Sequence, residues 1–105
     1  MNEEQRQVLE YLTNNAQGFQ NKKTSDEIRN ALNLPIGGRT NEYTREIIRE
    51  LIFEYNAVIG SDNRGYWIIQ SEQELQEVIN SLNSRAEEIT ERARALQQNW
   101  NNRNE

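Results

Sequence analysis

The chain has 105 residues, of which 34% are hydrophobic, with a formal net charge of −5 and neither cysteine nor histidine. That composition excludes disulfides, thiolate chemistry, the usual zinc ligands and any Ser-His or Cys-His nucleophile pair, leaving an enzyme only carboxylates, lysine, tyrosine or hydroxyls. One small domain with a thin core is expected, without a cofactor, a signal peptide or a membrane span, in a cytoplasmic setting.

In chain order, a first helix is expected over about Glu3 to Asn14, with Val8, Leu9 and Leu12 on one stripe. Gly18 breaks that period, and Phe19 reads as an aromatic anchor packing down from a polar loop. Lys22, Lys23 and Thr24 suit a short strand. Thr24 or Ser25 then caps a second helix, with Asp26 and Glu27 in its first turn where the helix dipole favours negative charge. Ile28, Ala31, Leu32 and Leu34 form its expected inward face, and Pro35-Ile36-Gly37-Gly38 ends it. Thr40 caps a third helix running to about Tyr55. Its expected core seam is Tyr43, Ile47, Ile48, Leu51, Ile52 and Tyr55, with Glu42, Arg45, Glu46, Arg49, Glu50 and Phe53 opposite.

Two β-prone runs follow, Ala57-Val58-Ile59-Gly60 and Tyr66-Trp67-Ile68-Ile69. They flank the polar turn Ser61-Asp62-Asn63-Arg64-Gly65, the pattern of a hairpin. Ser71-Glu72-Gln73-Glu74 is a capping box that opens a long last helix. Its apolar positions are Leu75, Val78, Leu82, Ala86, Ile89, Ala93, Leu96 and Trp100, in heptad rhythm from Leu82 with a stutter between Val78 and Ala86. Asn101 to Glu105 are expected to fray. The predicted class is therefore mainly α (α+β), a winged helix-turn-helix over residues 1–70 with a two- or three-stranded wing. Residues 71–105 form a C-terminal dimerisation helix in that reading.

A helix-turn-helix places the N-terminal part of its second helix in the major groove. Arg39, Thr40, Asn41, Thr44, Arg45 and Arg49 are the candidates there, since Arg suits guanine, Asn adenine, and Thr a phosphate or a thymine methyl. Asn63 and Arg64 at the wing tip, beside Lys22 and Lys23, complete the candidate DNA contacts. The competing role for Arg45 and Arg49 is to neutralise Glu42 and Glu46 on a solvated face, and it is the favoured one for Arg49. Residues 21–65 carry seven basic and seven acidic groups, so the presumed reading half is neutral and the acid lies toward the ends. Glu42, Glu46, Glu50 and Glu54 make a like-charge stripe; with Phe53 it offers an alternative function as a protein–protein interaction module, an inhibitor or adaptor whose partner meets Glu46, Glu50 and Phe53. The last helix suggests a homodimer through its heptad seam.

The stretch from Thr44 to Ile69 resembles winged-helix domains of the biotin-repressor-like type, in the small variety found in bacteria and their phages. Arg49, Leu51, Val58, Ile59, Gly65 and Tyr66 are the matching positions, and the close likeness covers about a quarter of the chain. It implies binding of double-stranded DNA, sequence-specific or architectural, in transcriptional or replication control; the lack of a convergent polar cluster in the sequence argues separately against an enzyme. The chain departs from the family where Gly often follows the recognition helix. Tyr55-Asn56 stands there, and Asn can take the left-handed turn. The acidic face of the third helix is a second departure.

Overall fold

A computed structural model describes residues 1–103. Helix α1 spans Glu3–Asn15 and opens with a capping box for which Asn2 and Gln5 stand at the usual spacing. The Asn2 side chain accepts the Gln5 N–H at 2.8 Å, and the Gln5 side chain accepts the Asn2 N–H at 2.9 Å. Helix α2, Ser25–Leu32, starts with the same reciprocal arrangement between Thr24 and Glu27 and ends on Asn33 in the left-handed region at φ 54°. Being only about two turns long, α2 turns a narrow stripe to the core. Ile28 is fully buried and Leu34 packs in beyond the left-handed turn, whereas Ala31, expected inward, is exposed.

Helix α3 spans Glu42–Tyr55. Its cap is Asn41 rather than Thr40, because Asn41 adopts φ 58° and donates its amide to Ser25 Oγ at 3.0 Å and Asp26 Oδ1 at 2.6 Å. The turn into α3 is thereby tied to the first turn of α2. Thr44, Ile47, Ile48 and Leu51 share the buried face at helical spacing. Ile52 and Tyr55, expected in that seam, are instead partly open. Tyr43 is half-buried, and its hydroxyl donates to the Glu4 carboxylate. Asn56 ends the helix at φ 59°, the left-handed turn expected of it, and Ala57 N–H reaches Leu51 O at 3.0 Å.

Strands β1, Ile59–Asp62, and β2, Gly65–Ile68, pair antiparallel from Ile59↔Ile68 to Asp62↔Gly65. The third strand of the expected wing shrinks to single bridges along β2. Lys23 exchanges two 2.8 Å backbone bonds with Tyr66, and Gln17 bridges Ile68 through its neighbours, Gly18 N–H donating to Ile68 O and Ala16 O accepting from Ile68 N–H. Gly60 is where the hairpin closes on Trp67, since a Cβ there would sit 2.7 Å from the indole ring. Phe19 meets that indole edge-on at 5.1 Å between ring centroids, though it keeps much of its surface in solvent. The core these elements close contains Val8, Leu12, Ala16, Ile28, Leu34, Ile47, Ile48, Leu51 and Ile59.

Helix α4, Glu72–Arg103, is continuous, and Ser71 Oγ accepts the Glu74 N–H at 3.1 Å at its start. The Glu74 carboxylate in turn accepts the Phe19 N–H at 3.2 Å. The chain separates into two units, Met1–Leu75 and the residues from Gln76 onward, so the first turn of α4 belongs with the first unit. Asn101, Asn102 and Arg103 are helical, where fraying was expected; Asn104 and Glu105 lie outside the described residues. An unbroken helix stays in step with heptads if Ile79, not Val78, follows Leu75; Ile79 is exposed and Val78 half-buried. The whole is mainly helical with a two-stranded antiparallel sheet and a long C-terminal helix, compatible with the winged-helix-like class. Among the described residues no helix is long and apolar enough to cross a membrane.

Candidate nucleic-acid interface

The wing tip is built around one carboxylate. Asp62 Oδ1 accepts the backbone N–H groups of Arg64 at 2.8 Å and Gly65 at 3.1 Å, folding the turn, while Oδ2 meets Lys22 Nζ at 2.5 Å. Partial burial works to raise the Asp62 carboxyl. It is outweighed by the Lys22 ammonium and the two backbone donors, so the group is held below the ordinary carboxylate range. The same Lys22 ammonium lies 3.5 Å from the Phe19 ring centroid and 4.9 Å from that of Trp67. Lys22 is therefore committed to holding the wing and is not a free cation for phosphate, contrary to its sequence-based assignment.

At the other side of the turn, Thr40 links Arg45 to the acidic start of α3. Its hydroxyl accepts from Arg45 Nη1 at 3.0 Å and donates to Glu42 Oε1 at 2.9 Å, while its N–H reaches Glu42 Oε2 at 3.0 Å. Backbone donors at this helix start, Thr40 first among them, hold the Glu42 carboxyl below its ordinary range.

Between the wing tip and the starts of α2 and α3 lies an open cleft of about 290 Å³. Thr24, Ser25, Thr40, Arg45, Asn63 and Arg64 line it, with Asp62, Gly65 and Tyr66 at the wing side. Four of the residues singled out from the sequence thus meet in one place: Thr40, Arg45, Asn63 and Arg64. Both guanidinium-bearing residues are exposed, and the Asp62 charge opposite them is offset by Lys22. The arrangement suits a polyanion, with two fixed-charge forks and several hydroxyls around one opening.

Two other candidates fall away. Thr44 is fully buried on the stripe of Ile47, Ile48 and Leu51, three and four residues and then seven along, and its hydroxyl has no hydrogen-bond partner. Asn41 is 8% exposed, with its amide spent on α2. Both residues therefore belong to the packing of α3 rather than to its outer surface. Arg39 is exposed and Lys23 half-buried, and neither lines the cleft. Arg49 lies 3.6 Å from Glu46 and 4.9 Å over the Phe53 ring, the neutralising role favoured for it.

Sequence reasoning missed Asp62, Ser25 and Tyr66 as parts of this place. The Asp-Asn-Arg-Gly turn carried a signal for the first, since Asp readily accepts backbone donors from the residues following it. A second, shallower groove of about 440 Å³ runs along α3 and includes Glu46, Ile52 and Phe53. Comparison with protein-family models, with curated proteins and with solved structures finds no match for this chain.

Proposed function

We propose that the protein binds double-stranded DNA through the unit of Met1–Leu75, as a homodimer, in the control of transcription or replication. In this reading the N-terminal part of α3 enters the major groove with Arg45, and Arg39 reaches the adjoining backbone or base edges. The wing holds a phosphate or the minor groove with Arg64 and Asn63. The observation that carries the reading is that Arg45 and Arg64, from elements far apart in sequence, line one cleft with Thr24, Ser25 and Thr40. The neutral charge of residues 21–65 predicts weak nonspecific affinity with a shallow salt dependence, set by the few cations that meet phosphates.

The test is titration of fluorescent duplex DNA with the full chain and with Arg45→Ala/Arg64→Ala, at several salt concentrations. The double variant should bind about tenfold or more weakly, with a salt slope lower by about 2 if both residues meet phosphates. Equal affinity and slope would remove the cleft from the interface.

One observation favours a second reading. Phe53 is 72% exposed on the acidic face of α3 beside Glu46, and with Glu50, which is half-buried and accepts from Gln5 Nε2 at 3.3 Å, these residues offer a site for a protein partner. Glu46→Lys with Glu50→Lys separates the two: it should strengthen DNA binding under the first reading and abolish partner binding under the second.

A further inference from the structure

Helix α4 leaves an apolar seam open along most of its length: Ile79, Leu82, Ile89 and Leu96 are all exposed, with Ala86 and Ala93 between them. From Ile79 onward the steps alternate three and four, so these side chains stay on one stripe that winds slowly around a straight helix. From position 79 to position 96 that stripe runs about 26 Å at 1.5 Å per residue.

Two properties of the same helix say what fits it. The first is charge. Between positions 72 and 84 the helix carries Glu72, Glu74 and Glu77 and no basic residue; between 92 and 103 it carries Arg92, Arg94 and Arg103 and no acidic one. The helix dipole favours such a division only in the first and last turns, and Glu77, Arg92 and Arg94 lie well inside. A second copy laid head to tail runs the acidic third of each helix alongside the basic third of the other. This is an attraction between whole segments rather than close pairs, since Glu77 shares the outer stripe of Ser84 and Gln98 and Arg85 of one copy lies near Arg92 of the other beside the seam. Laid parallel, it sets like on like.

The second property is volume. In a head-to-tail pair each layer joins unlike core positions of the two helices, and one register aligns the whole seam. Leu82 of one copy then meets Ala93 of the other, Ala86 meets Ile89, and Ile79 meets Leu96. Each alanine faces a large side chain and the two helices fill each other's gaps. A parallel pair stacks Ala86 on Ala86 and Ala93 on Ala93 between layers of paired Leu and Ile, which leaves thin layers beside thick ones.

We infer that α4 is the contact between two copies of this chain, paired antiparallel about a two-fold axis between positions 87 and 88. This deepens the homodimer half of the proposed function and is independent of its DNA half. The test accordingly contains no DNA, so failure here leaves the cleft reading standing, and failure of the DNA titration leaves this one standing.

The absence of cysteine makes the register directly readable. Full-length Ile79→Cys and Leu96→Cys are refolded separately and as a mixture, then oxidised in a glutathione buffer and weighed by mass spectrometry. The expected product is the mixed disulfide between the two variants, with neither variant forming a disulfide with itself. A Leu96→Cys self-disulfide, the parallel product, would overturn the inference, as would a monomeric mass for the unmodified chain by light scattering at millimolar concentration. Spin labels on the outer face supply a check that leaves the seam intact. In the inferred register Gln98→Cys labels lie about 32 Å apart along the axis and Ser84→Cys labels about 10 Å apart. Equal short distances at both positions would again mean parallel helices and sink the proposal.

Discussion

The two units of this chain use helices of similar make-up to opposite ends. In the first, Leu12, Ile28 and Leu51 have no exposed surface; in the second, Leu82, Ile89 and Leu96 are 49%, 66% and 64% exposed. Propensity does not separate them, because both are helical and both carry apolar residues at three- and four-residue steps. What separates them is the supply of other elements. Residues up to Leu75 provide three helices and a hairpin that close on one another, whereas Gln76 onward provides a single helix, which cannot bury its own stripe. An amphipathic stripe in a sequence thus announces that burial is wanted without saying whether the partner is in the same chain.

The sharpest way to break this comparison is one truncation in each unit. Leu51→Ala removes a fully buried side chain from the meeting point of the first unit's core and should cost about 2–5 kcal/mol. Its urea midpoint should fall at every protein concentration. Ile89→Ala should leave the midpoint of the first unit near that of the parent while changing how far α4 helicity depends on concentration, read by circular dichroism. If the two variants behave alike, the division into a self-sufficient unit and a partner-seeking helix is wrong.

Next in size is Gly60→Ala. The added methyl would stand 2.7 Å from the Trp67 ring, so either the indole or the hairpin must move. Overpacking of this kind costs about 1–3 kcal/mol. The loss should appear both in the denaturation midpoint and in the tryptophan emission of Trp67, which is almost fully buried. An unshifted spectrum with parental stability would mean that the close approach of strand and ring is not maintained.

Thr44→Val runs in the other direction. Its hydroxyl is buried without a partner among hydrophobic neighbours, and replacing it by a methyl of similar shape should stabilise by about 1 kcal/mol. DNA affinity should be unchanged, which distinguishes a packing residue from the base-contacting one that its position near the start of the helix suggested.

Thr44 also marks where reading a sequence reaches its limit. The hairpin was legible because a polar turn with a glycine separated two β-prone runs, and α3 because its apolar positions recur over several turns. The starts of α2 and α4 were legible from their capping residues, and the start of α3 was less so. Asn41 takes the N-cap position of α3 with its side chain turned to Ser25 and Asp26 rather than to the helix, a contact between α2 and α3 that no local pattern carries. Lys22 looked like half of a basic patch, yet its partner Asp62 is 40 residues on and its aromatic neighbours lie on two different segments. Arg45 and Arg64 could be named in advance because exposed cations at a helix start and a turn tip are legible from the local pattern alone.

The smallest expected effect tests that Lys22–Asp62 contact. Because Asp62 is held below the usual carboxylate range, its contribution to stability is complete above the unfolded value of about 3.9 and is lost as pH falls through the lower folded value. Nothing should change between pH 7 and pH 5 on its account. As the pH falls through that lower folded value, protonation breaks the bond to Lys22 and weakens the two backbone bonds that fold the wing tip. Asp62→Asn should therefore be less stable than the parent at pH 6 by no more than about 1 kcal/mol, since the pair is only partly screened from water. The gap should narrow as the pH is lowered from 4 to 3. Every other carboxylate is common to both proteins, so the difference between their urea midpoints at pH 6, 4 and 3 isolates this one group. A gap that stays constant across that range would show that Asp62 acts through the shape of the turn alone, with its charge and Lys22 irrelevant to the wing.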